Sequence, residues 1–329
     1  MVTPAATQLP EFLACIEEPL ASVDAWLEQQ FLPDHPAIAP LLTYASQFRG
    51  KRLRAAQVLL LAQGLGGVKD SHIAVAGIIE MIHAATLAHD DVLDEAQERR
   101  GLDCLHIEWG PHTSVLLGDW IYAKAFLRST EFPDLVCAQV LAKATGAVCR
   151  GEIHQNLTRG DFWLSEEDYF NQVDGKTAAL YEAGGRLAAY YAETSEAIQA
   201  ACAHHGLLAG RAFQIIDDIL DLDGEQEQVG KSLGTDWARG KMTLPLIRLR
   251  NVLNERDQAF LESAFASGQS RLELFEGPLG TQLNHQIAET KKEAMDFLEQ
   301  AAQSLDAIPE CPERLALQEL TMFLGMRRR

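Results

Sequence analysis

Two short acidic motifs constrain this chain more than any other feature. Each reads Asp-Asp-x-x-Asp, at residues 90–94 and 217–221, inside an apolar segment with helical patterning. On a helix, the first and last aspartates of such a motif lie on one side, where like charges repel each other. A chain that carries this cost twice, in apolar surroundings, indicates a strongly positive ligand. A divalent cation that prefers oxygen ligands, together with phosphate, fits best.

The residues around these motifs favour an all-α protein. Strand-like alternation is scarce, and Ala, Leu, Glu and Gln are abundant. The chain has no marked shift in composition, so we predict a single domain over residues 1–329. The periodicity predicts helices over about 11–31, 38–65, 70–95, 112–130, 134–157, 166–173, 176–191, 195–222, 242–251, 256–267, 279–304 and 312–325.

Charge and cysteine content limit the partners and the compartment. The formal net charge of −19 disfavours nucleic acid and anionic membrane surfaces as partners. We find neither an uninterrupted apolar run of roughly 18 residues nor a secretory signal, so no integral membrane segment is predicted. The six cysteines are scattered and form no Cys-x-x-Cys pair, which predicts free thiols in the cytoplasm.

The first acidic motif shares a predicted helix face with other informative residues. His83, Asp90 and Asp94 follow at helical spacing, and Thr86 and Ile82 continue the face. The face is polar at its carboxyl end and apolar below, which suits a ligand with an anionic head and a greasy tail. A solvated acidic helix end would explain one such motif. The second motif argues against it, because acids in so apolar a run need a cation.

Basic residues accompany both motifs and could hold an anionic phosphate. Any one of them alone would most often be surface charge. Lys51 and Arg54 would share one face if helical, and Gly175-Lys176-Thr177 is predicted to open a helix whose amino end attracts anions. The other basic candidates are Arg99, Arg100, Lys231 and Lys241. A P-loop sequence is absent.

Six motifs, taken in order, resemble the trans-prenyltransferases of the polyprenyl diphosphate synthase family. The resemblance implies an isoprenoid-synthase helical bundle around a central cavity, commonly as a homodimer. The motifs are Gly-Lys-Arg-Leu-Arg (50–54), His-Asp-Asp-Val-Leu-Asp with Arg-Arg-Gly (89–101), Leu-Leu-Gly-Asp-Trp (116–120), Gly-Lys-Thr-Ala (175–178), Phe-Gln-Ile-Ile-Asp-Asp-Ile-Leu-Asp (213–221) and Gly-Lys-Met-Thr-Leu-Pro (240–245).

The same resemblance implies a role for each matching residue. The diphosphate of isopentenyl diphosphate would be bound by Lys51, Arg54, His83 and Arg100. The allylic diphosphate, such as farnesyl diphosphate, would be bound by Arg99, Lys176, Thr177, Gln214, Lys231 and Lys241, with Lys176, Thr177 and Gln214 as catalytic residues. Mg2+, about three ions per active site, would be bound directly by Asp90, Asp94 and Asp217, with Asp91, Asp218 and Asp221 in support.

These roles describe a Mg2+-dependent head-to-tail condensation. The metal neutralises the leaving diphosphate, so the allylic C–O bond ionises. A dry helical cavity protects the cation, the alkene of isopentenyl diphosphate adds, and the departed diphosphate takes the proton. The two acidic motifs would then be facing halves of one metal–diphosphate clamp.

The residues before the first motif predict the product length. Short-chain members tend to carry aromatic residues four or five positions before its first aspartate, where this chain has Thr86 and Ala85. Ile82 and Ile79 lie one and two turns lower. We therefore expect an all-trans product longer than farnesyl, with a geranylgeranyl diphosphate synthase as the alternative.

Two other classes of protein compete with this interpretation. A class I terpene cyclase normally has a different second metal motif and needs no isopentenyl site, yet Lys51 and Arg54 are present. A non-catalytic regulatory subunit of a heteromeric synthase should have lost aspartates or lysines, and none of the expected ones is missing.

Overall fold

A computed structural model describes residues 11–46, 50–99, 101–223, 234–268 and 270–325. The described chain is almost entirely helical, which confirms the predicted all-α fold. Two compact units interleave along the sequence. The first comprises Met1–Ala142, Ala183–Ala203 and Asp306–Leu320, and the second comprises Lys143–Glu182, His204–Leu305 and Thr321–Arg329. A single domain over residues 1–329 therefore stays a prediction.

The amino-terminal part of the first unit contains six α-helices and a small hairpin among its described residues. The helices are α1 (Glu17–Gln30), α2 (Ala39–Ala45), α3 (Leu53–Gly64), α4 (Asp70–Leu93), α5 (Leu105–Trp109) and α6 (Pro111–Ser129). The antiparallel strands β1 (Glu98–Arg99) and β2 (Leu102–Asp103) pair Glu98 with Asp103. The 3-10 turns are Glu11–Ile16 and Pro36–Ile38.

Helix α4 is the central helix of this unit and packs against α1, α3 and α6. Glycine permits the close approach to α1, since a Cβ at Gly77 would lie 2.3 Å from the Trp26 ring. By length and composition α4 is the one described helix that could cross a membrane, but 61% of its most apolar window is buried inside the protein. Its apolar character is therefore explained by burial in a helical core.

The rest of the described chain is also helical. It contains α7 (Val136–Leu157), α8 (Glu166–Val173), a π-helical turn (Asp174–Ala178), α9 (Ala179–Tyr191), α10 (Glu196–Asp223), α11 (Thr235–Ala238), α12 (Leu244–Val252), α13 (Glu255–Ser267), α14 (Arg271–Glu276), α15 (Gly280–Ser304), a 3-10 turn (Leu305–Ala307) and α16 (Pro312–Gly325). In the second unit, buried residues of α8, α10 and α12 join Trp237 and Phe265 in one hydrophobic cluster.

Two local predictions are wrong. The helix predicted over 38–65 is two helices, since α2 ends at Ala45 and α3 begins only at Leu53, directly after Arg52 in the left-handed conformation (φ 54°). Lys51 is therefore outside the helix, and its predicted helical face with Arg54 does not exist. Gly175 also does not open a helix: Val173 is already helical, and the Ala179 N–H bonds back to Asp174 in a π-helical turn. The backbone N–H groups at Gly175–Thr177 therefore do not form a helix amino end.

Candidate active site

The first acidic motif forms the last turn of α4. Asp90 is in the final helical turn, and Asp94 is the residue after the helix, with its N–H bonded to the Asp90 carbonyl at 2.8 Å. Both aspartates are half-buried, whereas Asp91 is buried. Asp90 and Asp94 are therefore one helical turn apart on the same side of α4.

Asp91, the middle aspartate, is bound to Arg99 of the hairpin. Arg99 Nε lies 3.0 and 2.9 Å from the two carboxylate oxygens, and Nη2 lies 2.6 Å from Oδ1. Only 5% of the Asp91 side chain and 19% of the Arg99 side chain are exposed. This bidentate ion pair ties the hairpin to the end of α4. The predicted contact of Arg99 with an allylic diphosphate stays a prediction, and Arg100 lies outside the described residues.

His89 joins this helix end to α6, and sequence reasoning missed its role. Its Nε2 lies 3.1 Å from the Val115 carbonyl oxygen and 3.4 Å from Asp119 Oδ1. A Cβ at Gly118 would lie 2.2 Å from the same nitrogen, so only glycine leaves space for the ring. The signal was present in the sequence, because His89 directly precedes the acidic motif and Gly118 and Asp119 belong to a second matching motif.

The predicted chain-length residues line up along α4 below the motif. Ala85, Ile82 and Ile79 have no exposed surface, and the Thr86 hydroxyl donates to the His83 carbonyl at 2.7 Å. A Cβ at Gly184 of α9 would lie 3.2 Å from Ile79, so Ile79 packs against that helix. These positions are in the interior of the first unit.

The described residues that are predicted to bind isopentenyl diphosphate also belong to the first unit. Lys51 is exposed just before α3, Arg54 is half-buried in its first turn, and His83 is half-buried in α4. Their predicted roles stay predictions.

The second acidic motif lies near the end of α10, and its middle aspartate is also engaged by the protein. Asp218 Oδ2 accepts from the Tyr169 hydroxyl at 2.6 Å, and Oδ1 accepts from Gln214 Nε2 at 2.8 Å. The Gln214 oxygen in turn accepts from the Thr177 hydroxyl at 2.7 Å. Burial, and then the nearby Asp236, raise the pKa of Asp218 above its ordinary value. This buried chain connects α8, the π-helical turn and α10.

The π-helical turn carries Lys176 as well as Thr177. Lys176 Nζ lies 2.8 Å from Glu152 Oε1 and 3.1 Å from Gln155 Oε1, both on α7. A Cβ at Gly151 would lie 2.6 Å from the Lys176 backbone nitrogen, so the two segments pack backbone to backbone. π-helical turns are frequent at functional sites, and this one carries two of the predicted catalytic residues.

Asp221, the last aspartate of the second motif, organises the segment that carries Lys241. Its Oδ1 accepts from the Thr235 hydroxyl at 2.8 Å, and its Oδ2 accepts from the Asp236 N–H at 3.0 Å. Asp236 Oδ1 lies 3.2 Å from Lys241 Nζ. Burial, and then the charge of Asp236, raise the pKa of Asp221. Lys231 lies outside the described residues.

The donor chemistry of the two motifs fits Mg2+. Among the described residues, three or more His, Cys, Asp or Glu side chains do not converge as a ready-made metal cage. Mg2+ does not require such a cage, because it keeps several waters and is usually bound by one or two carboxylates plus substrate phosphates. Hard carboxylate oxygens at Asp90, Asp94 and Asp217 suit that mode of binding.

Comparison with known proteins decides the family. The model of the polyprenyl synthetase family matches residues 35–276. The chain belongs to this family. It is 34% identical over 292 residues to the octaprenyl diphosphate synthase of Haemophilus influenzae, with 88% of each chain covered. It is 30% identical over 281 residues to the geranylgeranyl diphosphate synthase of Methanosarcina mazei, with 84% of this chain and 85% of that protein covered.

A solved relative shows the same fold. The polyprenyl synthase of Caulobacter crescentus CB15, crystallised with calcium and isoprenyl diphosphate, superposes with a TM-score of 0.88 and 32% identity over 97% of each chain. The predicted family and its helical fold are confirmed. The chain is an enzyme of the prenyltransferase class. Relatives of different product length match over similar spans, so family membership leaves the product length open.

Proposed function

We propose that this enzyme catalyses the Mg2+-dependent head-to-tail condensation of isopentenyl diphosphate with an allylic diphosphate such as farnesyl diphosphate. The product is an all-trans polyprenyl diphosphate longer than farnesyl. The observation that carries the proposal is the shared construction of the two Asp-Asp-x-x-Asp motifs. In each, the fold engages the middle aspartate, Asp91 through Arg99 and Asp218 through Tyr169. Asp90, Asp94 and Asp217 are then the motif residues assigned to metal.

In this proposal, each predicted site residue of the second unit has a stated role. Mg2+ held by Asp90, Asp94 and Asp217 would neutralise the leaving diphosphate. Lys176 and Lys241 hold the allylic diphosphate by charge. Because the Thr177 hydroxyl donates its proton to Gln214, its oxygen presents lone pairs, which stabilise an adjacent allylic cation.

In this proposal, residues of the first unit bind the second substrate, isopentenyl diphosphate. Lys51, Arg54 and His83 bind the diphosphate of isopentenyl diphosphate, a site that needs cationic and hydrogen-bonding groups. We assign three Mg2+ ions to each active site, a homodimer as the working assembly and the cytoplasm as the compartment. These assignments follow the family resemblance.

The direct test is an elongation assay on the purified full-length protein. With Mg2+, isopentenyl diphosphate and farnesyl diphosphate, we expect prenols longer than fifteen carbons after dephosphorylation and chromatography. Chelation of the metal should abolish elongation, and added Mg2+ should restore it. Failure of the wild-type protein to extend farnesyl diphosphate would contradict the proposal. A ladder that stops after one addition would favour the geranylgeranyl alternative, and a cyclic hydrocarbon would favour a terpene cyclase.

The chain-length assignment has its own test at Ala85. A phenylalanine there would fill the interior just below the first motif, so Ala85→Phe should shorten the product ladder. Ala84→Phe is the matched control, because its side chain points about 100° away around the same helix. A thermal melt of each variant separates a changed product from a damaged fold. If both variants make the wild-type ladder, Ala85 does not limit the chain.

A further inference from the structure

The segment that carries Lys51 and Arg54 is held by an unusual residue between them. Arg52 is in the left-handed conformation, with φ 54° and ψ 31°, directly before α3. This conformation is unfavourable for a residue with a Cβ, which comes too close to the following carbonyl oxygen. It persists only where surrounding contacts enforce it.

Two carboxylates on different helices provide those contacts. Arg52 Nε lies 2.9 Å from Asp24 Oδ1 on α1, and Nη1 lies 3.4 Å from Glu80 Oε2 on α4. The side chain of Glu80 is 4% exposed, that of Arg52 21% and that of Asp24 38%. The guanidinium therefore bridges α1 and α4 with its planar donors, which a lysine ammonium would not reproduce.

Glu80 makes a second contact that fixes the start of α3. Its Oε1 accepts from the Ala55 N–H at 3.1 Å, one of the amide groups that a helix leaves without an internal partner in its first turn. An anionic carboxylate at this position is also favoured by the helix dipole. Glu80 lies three residues before His83, on a neighbouring position of α4. One buried carboxylate thus joins the Lys51–Arg54 segment to the helix that carries His83.

We propose that Arg52, Glu80 and Asp24 are positioning residues for the diphosphate of isopentenyl diphosphate. They fix the backbone from which Lys51 and Arg54 extend and set it relative to His83. Lys51 precedes the left-handed residue and Arg54 follows it, so a change at Arg52 moves the two cationic groups relative to each other. This inference rests on the proposed function, because it assigns these residues to one of its two substrates.

The test compares Arg52→Gly and Glu80→Gln with the wild-type enzyme. Glycine adopts φ 54° without strain, so Arg52→Gly removes the ion pairs and keeps the backbone conformation accessible. Glu80→Gln keeps an oxygen for the Ala55 N–H and removes the charge. We expect the KM for isopentenyl diphosphate to rise about ten-fold in each variant, as for one lost charge-assisted bond. The KM for farnesyl diphosphate should stay within about two-fold of wild type.

A matched control separates positioning from general stability. Arg314 has a 13% exposed side chain, forms an ion pair with Asp306 and donates to the Ile308 carbonyl, and neither of these partners is a candidate site residue. Arg314→Ala should lower the melting temperature and leave both KM values unchanged. Calorimetric titration of isopentenyl diphosphate without metal should show the same weakening in Arg52→Gly and Glu80→Gln.

The outcomes distinguish the two proposals. If the wild-type enzyme extends farnesyl diphosphate but the two variants match Arg314→Ala in the KM for isopentenyl diphosphate, the positioning role is wrong. Equal increases in both KM values would also overturn it. If the wild-type enzyme makes no longer prenol, the proposed function itself fails.

Discussion

At the scale of single residues, the middle aspartate of each motif is the least exposed member of its motif. Asp91 is 3% exposed and Asp218 is 6% exposed. A buried carboxylate is stable only with partners, and the two middle aspartates have different ones. Arg99 neutralises Asp91 with a full positive charge, whereas Tyr169 and Gln214 offer neutral donors to Asp218. The weaker neutral environment agrees with the raised pKa of Asp218, for which burial is the largest cause.

Tyr169 should therefore influence catalysis without contacting substrate. Tyr169→Phe removes the hydroxyl that donates to Asp218, so Gln214 and Thr177 lose a fixed neighbour. We expect kcat to fall about ten-fold, as for one lost hydrogen bond, with a smaller change in either KM. Tyr190→Phe is the matched control, since Tyr190 also donates to a carboxylate, Asp134, at 3.2 Å. Equal kcat values for the two variants would contradict a positioning role for Tyr169.

At the scale of helices, the sequence predicted most of the long helices but not the local departures from regular helix. Apolar periodicity located α4, α8, α10 and α15 within a residue or two, because each long helix buries a regular face. The left-handed conformation of Arg52 was missed because its partners, Asp24 and Glu80, are distant in the sequence. The π-helical turn was missed for a similar reason: backbone packing of Gly151 against Lys176 leaves no periodic signal.

The same distinction applies to the candidate site. Residue types and motif order predicted which aspartates and lysines to examine. The roles of Tyr169, Glu152 and His89 could be identified only from their tertiary contacts. Each of these partners would suit an ordinary helix face equally well, so its chemistry is visible only once the neighbouring helix is known.

Close approach between helices gives a prediction at this scale. Gly118→Ala would place a methyl group against His89, beside Asp90, and should destabilise the protein by about 1–3 kcal/mol. Gly146→Ala is the control, because a Cβ there meets no atom within 4 Å on an exposed part of α7. That change should be neutral or stabilise by about 0.5–1 kcal/mol. Chemical unfolding of both variants measures the difference, and equal stabilities would show that His89 moves aside freely.

At the scale of the whole molecule, the candidate residues divide between the two units. The first unit carries one acidic motif with Lys51, Arg54 and His83. The second carries the other motif with the Thr177–Gln214 pair and the π-helical turn. Each unit thus carries one acidic motif and some of the predicted diphosphate-binding residues, with Arg99, predicted to bind the allylic diphosphate, in the first unit. The net charge of −19 makes these local basic residues necessary, because the molecule as a whole repels a diphosphate.

Stability of the whole molecule should depend on pH through a buried histidine. His205 is 1% exposed and its Nε2 lies 2.9 Å from the Thr321 hydroxyl oxygen. Burial, and then the charge of His204, lower the pKa of His205 from 6.5 to about 4. Between these values the unfolded chain binds a proton that the folded protein does not, so stability falls as pH decreases from 6.5 towards 4. The loss for this one group is at most ~3 kcal/mol, at 1.36 kcal/mol per pH unit.

His205→Gln should remove this contribution, because an amide keeps a polar partner for Thr321 and does not titrate. We expect denaturant unfolding at pH 7, 6 and 5 to show a shallower loss of stability in the variant than in the wild type. The difference between the two proteins isolates His205 from the other titrating groups. His204→Gln is the control: it is exposed, and it leaves burial, the larger cause of the lowered pKa of His205, in place. Its pH dependence should stay close to wild type, and an equal slope in all three proteins would show that His205 does not contribute.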